Sequence, residues 1–179
     1  MLSFELNHLG RIASALAFSS LMALSGCQVR PLYATGPSAA GVSVLSQSVS
    51  VNEVTSRYAQ EVRNHLIFLL NGGAGEPAGA SYKLELGVTK RVTTVASITP
   101  ATGESRGTAG AVVLASNYTI SDAVTGSPVA SGSREITASF DSPRQQFARL
   151  RAERDAEDRA ARELAEALKL AIAADLAGK

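Results

Sequence analysis

Several apolar patterns of different period divide the chain. Ile12 to Leu24 is an apolar run. Val42, Val44, Val49 and Val51 alternate with mostly polar residues and predict a first strand within 42–51. Over 52–71, Val54, Tyr58, Val62, Leu66, Leu69 and Leu70 recur at three- and four-residue spacings, the stripe of an amphipathic helix. Thr55 or Ser56 can cap its start, and Asn71-Gly72-Gly73 supplies a left-handed stop. Tyr82, Leu84, Leu86 and Val88 then alternate with Lys83, Glu85, Gly87 and Thr89, and the pattern extends through Val92, Thr94 and Ala96. Residues 97–110 read as a long polar loop. Val112, Leu114, Ser116, Tyr118 and Ile120 form a third strand, residues 122–128 a turn, and Val129 to Phe140 a fourth strand. Ser142 and Pro143, as cap and first helical residue, open a helix that nothing interrupts before Leu176.

This order, β-α-β-β-β-α, predicts an α+β domain. Strands with one apolar and one charged face are the antiparallel habit. The expected architecture is a four-stranded, mostly antiparallel sheet with two helices packed on one face. In the last helix, Ala148, Ala152, Ala156, Ala160, Leu164, Leu168, Ile172 and Leu176 recur every fourth residue. That step drifts against a turn of 3.6 residues, so one straight line cannot hold all of them. The half with large side chains is expected to pack on the sheet. The half around residues 149–163 has only alanines among charges, with Asp155–Arg159 and Asp158–Arg162 as i,i+4 pairs. It reads as a solvated extension or a charged surface for a partner.

The first apolar run has its own meaning. It is shorter than the roughly 20 residues that span a bilayer and suits the apolar segment of an export signal. It ends in Leu24-Ser25-Gly26-Cys27, and Cys27 is the only cysteine of the chain. Small and aliphatic residues before a lone cysteine form a lipobox, at which a bacterial lipoprotein precursor is lipidated on cysteine and cut before it. The expected organisation is a lipoprotein signal peptide over 1–26, a lipidated tether over 27–41 and one domain over 42–179. A covalent lipid on Cys27 is the expected attachment, and no other cofactor is expected. Gln28 follows the cysteine where an aspartate would favour inner-membrane retention, which points to the outer membrane.

Composition removes function classes. The net charge of +1 gives no electrostatic case for nucleic acid. The absence of Trp, with aromatics at 5%, argues against a stacking platform. With no further cysteine and with His65 the only histidine after the signal, no His/Cys metal cluster can be assembled, and a Ser-His-Asp triad would have to use His65, which lies on a helix flank without a nucleophile elbow. The loop over 97–110 lacks the GK[ST] ending of a phosphate-binding loop. No metal site and no enzyme activity are expected.

Three stretches together carry a family resemblance. They are Gly26-Cys-Gln-Val-Arg-Pro-Leu-Tyr33 after the lipobox, Arg57-Tyr-Ala-Gln-Glu-Val-Arg-Asn-His-Leu-Ile-Phe68, and Tyr82-Lys-Leu-Glu-Leu86. In these the chain resembles the LptE lipopolysaccharide-assembly lipoproteins in their alphaproteobacterial form. The resemblance implies an outer-membrane lipoprotein that plugs and helps fold the LptD β-barrel. The pair would assemble lipopolysaccharide into the outer leaflet. Direct contact with that polyanion would call for basic side chains. Lys90, Arg91 and Arg134 are the main candidates, with Lys83 and Arg106 beside them. An auxiliary lipoprotein of a lipid-transport ABC system is the alternative reading.

Overall fold

The computed structural model describes residues 48–101, 103 and 105–177. The signal peptide, Cys27, the tether and residues 42–47 of the expected first strand lie outside the described residues. The described elements are β1 (Val49–Val51), α1 (Arg57–Leu70), β2 (Tyr82–Ile98), β3 (Arg106–Asp122), β4 (Pro128–Asp141) and α2 (Gln146–Ala177). They form one four-stranded sheet in the order β1-β2-β3-β4. The two hairpin pairings are antiparallel, and β1 pairs with β2 in parallel. The sheet is therefore mixed: α1 carries the chain back, so β1 and β2 start from the same end.

Alternation sorts the faces as the sequence implies. Leu84 and Leu86 of β2, Val112, Leu114, Tyr118 and Ile120 of β3, and Ala138 of β4 are buried on one face. They form one cluster with Val62, Leu66 and Leu70 of α1 and Leu164, Leu168, Ile172 and Leu176 of α2. Both helices pack on that face, because Lys90 and Tyr118 in its register reach Glu157 and Asp175 of α2. Ser116 is the polar exception there, its hydroxyl buried without a hydrogen-bond partner among the described residues. On the opposite face Lys83, Glu85, Thr89, Arg91, Ser131, Ser133, Glu135, Thr137 and Ser139 are exposed. Ala111 and Val113 are buried there between neighbouring strands; Val113 lies in register with Arg91 and Thr137.

Three local outcomes differ from the sequence reading. The polar loop expected over 97–110 is shorter, because β2 runs to Ile98 and β3 begins at Arg106. Gly107, Gly110 and the small residues between them made the start of β3 look like loop, and register shifts between Thr94 and Ser97 adjust the pairing opposite it. The last helix begins at Gln146, not Pro143, because the Ser142 N–H donates to the Thr108 carbonyl and keeps the chain in the sheet for one more rung. Its alanine half is not merely solvated. Ala156, Ala160, Ala161 and Ala165 are completely buried, and with Leu164 and Leu168 they spread the drift of the four-residue repeat over a wide contact stripe. Small side chains let the helix axis lie close to the sheet and to α1.

The ends of the elements follow local chemistry. Gly72 closes α1 at φ 58, and the Gly73 N–H donates to the Phe68 carbonyl, the six-to-one bond of a Schellman stop. Ser56 stands at the N-cap but makes no side-chain cap bond. The Asp122 carboxylate accepts from the Val124 and Thr125 N–H groups and the Thr125 hydroxyl, which ties the turn between β3 and β4. These bonds hold its pKa below the usual value, the Thr125 N–H being the main cause. The edge at β1 is closed by side chains. Glu76 accepts the Val51 N–H at 2.8 Å, Arg63 donates to the Val51 carbonyl at 2.9 Å, and the two form an ion pair at 2.8 Å. This pair replaces a missing strand at one rung.

Candidate functional site

The cations singled out in the sequence reach different surfaces. Lys90 lies on the helix side of the sheet. Its ammonium donates to Glu157 at 2.8 Å, stands 3.7 Å from Glu153 and sits 5.8 Å from the centre of the Tyr58 ring. Glu157 is only 5% exposed and also accepts from Arg57 at 2.7 Å, while Arg57 reaches Asp158 at 2.8 Å. One buried carboxylate thus joins α1, β2 and α2. The hydrogen bond to Glu157, aided by the charges of Glu157 and Glu153, raises the Lys90 pKa above its ordinary value against the opposing effect of burial.

Arg91 points to the opposite, uncovered face, as the next residue of a strand must. It is exposed there, with no carboxylate partner among the described residues. Arg134 is on the Lys90 side, in register with Ser116 and Val88, at the free edge of the sheet. It is exposed, and its guanidinium donates to the Ser133 carbonyl at 2.7 Å. The fold therefore brings Lys90 and Arg134 to one face and sends Arg91 to the other. Lys83 shares the Arg91 face. His65 stands on α1, 3.8 Å from Glu61, with no nucleophile beside it among the hydrogen bonds of the described residues. Among the described residues, no group of three or more His, Cys, Asp or Glu side chains is placed to hold a metal ion.

Another constellation appears at the far end of the sheet. Thr94, Arg106, Gly107, Ser142, Pro143, Arg144 and Arg149 line a cleft of about 480 Å³ between the hairpin and the start of α2. Three of these seven residues are arginines and none is acidic. No ion pair engages any of the three arginines among the described residues. Apolar side chains stand beside them. Ile98, opposite Arg106 in the hairpin, is 52% exposed, and Phe147 in the first turn of α2 is 83% exposed. Arg144 and Arg149 were not singled out in the sequence, although arginines at 144, 149, 151 and 154 stand there against the single acid Glu153. That imbalance was the available signal. Its meeting with Arg106 depends on the hairpin returning to the start of α2.

No described helix is long and apolar enough to cross a membrane.

Comparison with known families finds a match over residues 46–172 to the family described as "LptE: Lipopolysaccharide-assembly". Comparison with curated proteins finds no match. Among solved structures, one from Caulobacter crescentus CB15, described as a lipoprotein, is 26% identical with a TM-score of 0.64, over 78% of this chain and 98% of that one. The rare lipoprotein B of Shewanella oneidensis is 16% identical with a TM-score of 0.52, over 71% of this chain and 92% of that one. A minor lipoprotein of Acinetobacter baumannii is 13% identical with the same TM-score, over 70% and 88%. The last two likenesses concern the fold alone.

Proposed function

The chain belongs to the LptE lipopolysaccharide-assembly family, and from that premise we propose that it is an outer-membrane lipoprotein that works with an LptD-like β-barrel. In this reading Cys27 carries the lipid anchor, and the domain assists insertion of lipopolysaccharide into the outer leaflet. The observation that carries it is the extent of the family match, which runs from the approach to β1 into the last turns of α2. The role is one of assembly rather than catalysis.

The uncovered sheet face supports a partner-bound life. It is polar, mostly of small residues, and mixes Lys83 and Arg91 with Glu85 and Glu135. Such a face suits contact with the wet interior of a barrel rather than with lipid tails. Direct contact with lipopolysaccharide belongs to the same proposal. Of the cations expected to make it, Arg91 and Arg134 keep exposed heads, whereas Lys90 is held by Glu157.

Crosslinking in gently solubilised outer membranes, followed by affinity isolation and mass spectrometry, tests the reading. The expected result is a stoichiometric large β-barrel partner, lost from the membrane fraction's crosslinks when Cys27→Ser prevents anchoring. Recovery of inner-membrane transporter subunits instead would sink the proposal and favour the ABC-system alternative.

A further inference from the structure

We infer that the free edge of β2, from Val88 to Ile98, pairs antiparallel with the same edge of a second copy of this chain, so that one sheet runs across a two-fold axis. The inference goes beyond the assembly reading and does not rest on it. Backbone direction along β2 is fixed by its neighbours. The Tyr82 N–H donates to the Ser48 carbonyl, the Asn52 N–H donates to the Leu84 carbonyl, and the Leu86 N–H donates to the Asn52 side chain. Even-numbered residues therefore turn their peptide groups toward the β1 side. β1 ends at Val51, beside Leu84. Val88, Lys90, Val92 and Thr94 continue the series beyond it, and no hydrogen bond engages their outward peptide groups among the described residues. The open stretch is about 33 Å long at roughly 3.3 Å per residue. The other edges are guarded. Arg63 and Glu76 close the rung at Val51, and on β4 the outward carbonyls of Ser133 and Ser139 accept from Arg134 and Arg159. An unguarded edge is thus the exception in this domain, and such an edge is a template for another strand. Seven of its eleven residues are β-branched, the composition that suits pairing.

The residues of the stretch select a copy of themselves as occupant. Two identical strands paired about a two-fold axis present a self-complementary patch. A register centred on Lys90 or Arg91 would set like cations face to face, which is unfavourable. A register centred on Thr93 uses the whole stretch and avoids this. Val88 then stands opposite the second copy's Ile98, Thr89 opposite Ser97, Lys90 opposite Ala96 and Arg91 opposite Val95. Apolar meets apolar, hydroxyl meets hydroxyl, and each cation meets a neutral residue. The faces agree as well. Val88, Val92 and Ile98 share the side on which Leu84 and Leu86 are buried, so pairing extends the apolar face and covers Val92 and Ile98, now 43% and 52% exposed. Thr89, Thr93 and Ser97 extend the polar face. Lys90 keeps its bond to Glu157, since the alanine opposite it is small. The register shifts near the end of β2 are local: Thr94 pairs with Gly110 and Ser97 with Gly107, the same register on either side. A foreign strand would leave this self-complementarity without a role.

The test uses the mature lipoprotein in a density-matched non-ionic detergent. Sedimentation velocity over a concentration series is expected to show a monomer–dimer equilibrium. Val92→Pro removes an outward N–H and leaves the β2–β3 ladder intact, because proline is tolerated where the N–H faces away from the sheet. It is expected to raise the dimer dissociation constant about tenfold or more. Thr137→Pro makes the same change on an outward N–H of the β4 edge and is expected to stay within about twofold. Val95→Glu sets a carboxylate directly opposite Arg91 in the Thr93 register alone. It is expected to tighten the dimer about threefold, a gain that high salt removes. Circular dichroism confirms that the variants are folded, and a gain of association in a folded variant does not come from unfolding. A photo-crosslinking amino acid in place of Thr93 reads the occupant in intact cells, where an adduct of two copies of this chain is expected. An adduct with a different protein alone would assign the edge to another occupant and overturn the pairing. A monomer at every concentration, a dimer indifferent to Val92→Pro, or a dimer weakened by Val95→Glu would overturn it too. The barrel pull-down reads the assembly proposal independently, so a barrel partner recovered with a monomeric chain removes only the pairing.

Discussion

Lys90 and Arg91 are consecutive residues with separate roles, because a strand turns alternate side chains to opposite faces. Lys90 is spent inside the domain on Glu157, and Arg91 remains in solvent. Truncation of the shared carboxylate, Glu157→Ala, strands the Lys90 and Arg57 cations together. Both retain some access to water, which limits the cost to about 2 kcal/mol, read as a lower urea midpoint. Arg91→Ala is expected to change stability by less than about 0.5 kcal/mol. Tyr118 provides a test at alkaline pH. Burial, with the 2.7 Å hydrogen bond to Asp175, pushes its phenol up from 10.0 to about 12. A raised pKa means that the folded state favours the neutral phenol. Its contribution is whole below the ordinary tyrosine value and is lost as pH rises from about 10 to about 12. Lys90 is also raised and loses its contribution in the alkaline range. The difference between wild type and Tyr118→Phe in urea midpoint, followed through that window, therefore isolates the tyrosine. It should shrink as pH rises; a constant difference would exclude the titration.

Between β3 and β4, two glycines face two aromatic rings across the ladder. Tyr118 pairs with Gly132, and Phe140 pairs with Gly110. A Cβ at Gly132 would lie 2.6 to 2.9 Å from Tyr118 ring and hydroxyl atoms, and one at Gly110 would lie 2.5 to 3.0 Å from the Phe140 ring. Each ring covers the bare backbone opposite, and together they fix the register of the hairpin. Gly132→Ala is expected to cost about 1–3 kcal/mol, since Tyr118 is buried and held by Asp175. Gly87→Ala, whose nearest neighbour would be 3.9 Å away, should be nearly neutral in the same denaturation measurement. Strands and helices were legible in the sequence because alternation and three-to-four spacing survive wherever one face is buried. Legibility failed where that condition failed. The end of β2 and the start of β3, where Ile98 is exposed and Gly107 and Gly110 stand among small residues, resembled loop. Ser142-Pro143 looked like a helix start because cap chemistry is local, whereas the bond from Ser142 to Thr108 is not. The alanines of α2 looked solvated because hydropathy does not register how closely a small side chain lets two backbones approach.

At the scale of the molecule, the cations divide by distance along the sheet. Thr94, at the cleft, stands about 40 Å along β2 from Tyr82 at roughly 3.3 Å per residue. The sequence made Arg106 a candidate but could not join it to Arg144 and Arg149, because only the hairpin's return and the placement of α2 bring them together. The chain arrives at the other end, since β1 runs parallel to β2 with Val49 beside Tyr82. That parallel pairing has a mechanical meaning. Tension reaching Ser48 from the N-terminal side pulls β1 lengthwise against β2. Peeling would break its hydrogen bonds one by one, as a zipper opens; shear sets them to resist together. The Asn52 side chain, which accepts the Leu86 N–H at 2.7 Å, and the Arg63–Glu76 pair on Val51 brace the same short splice. A strand of three residues can then transmit a tug into the sheet without being stripped from it.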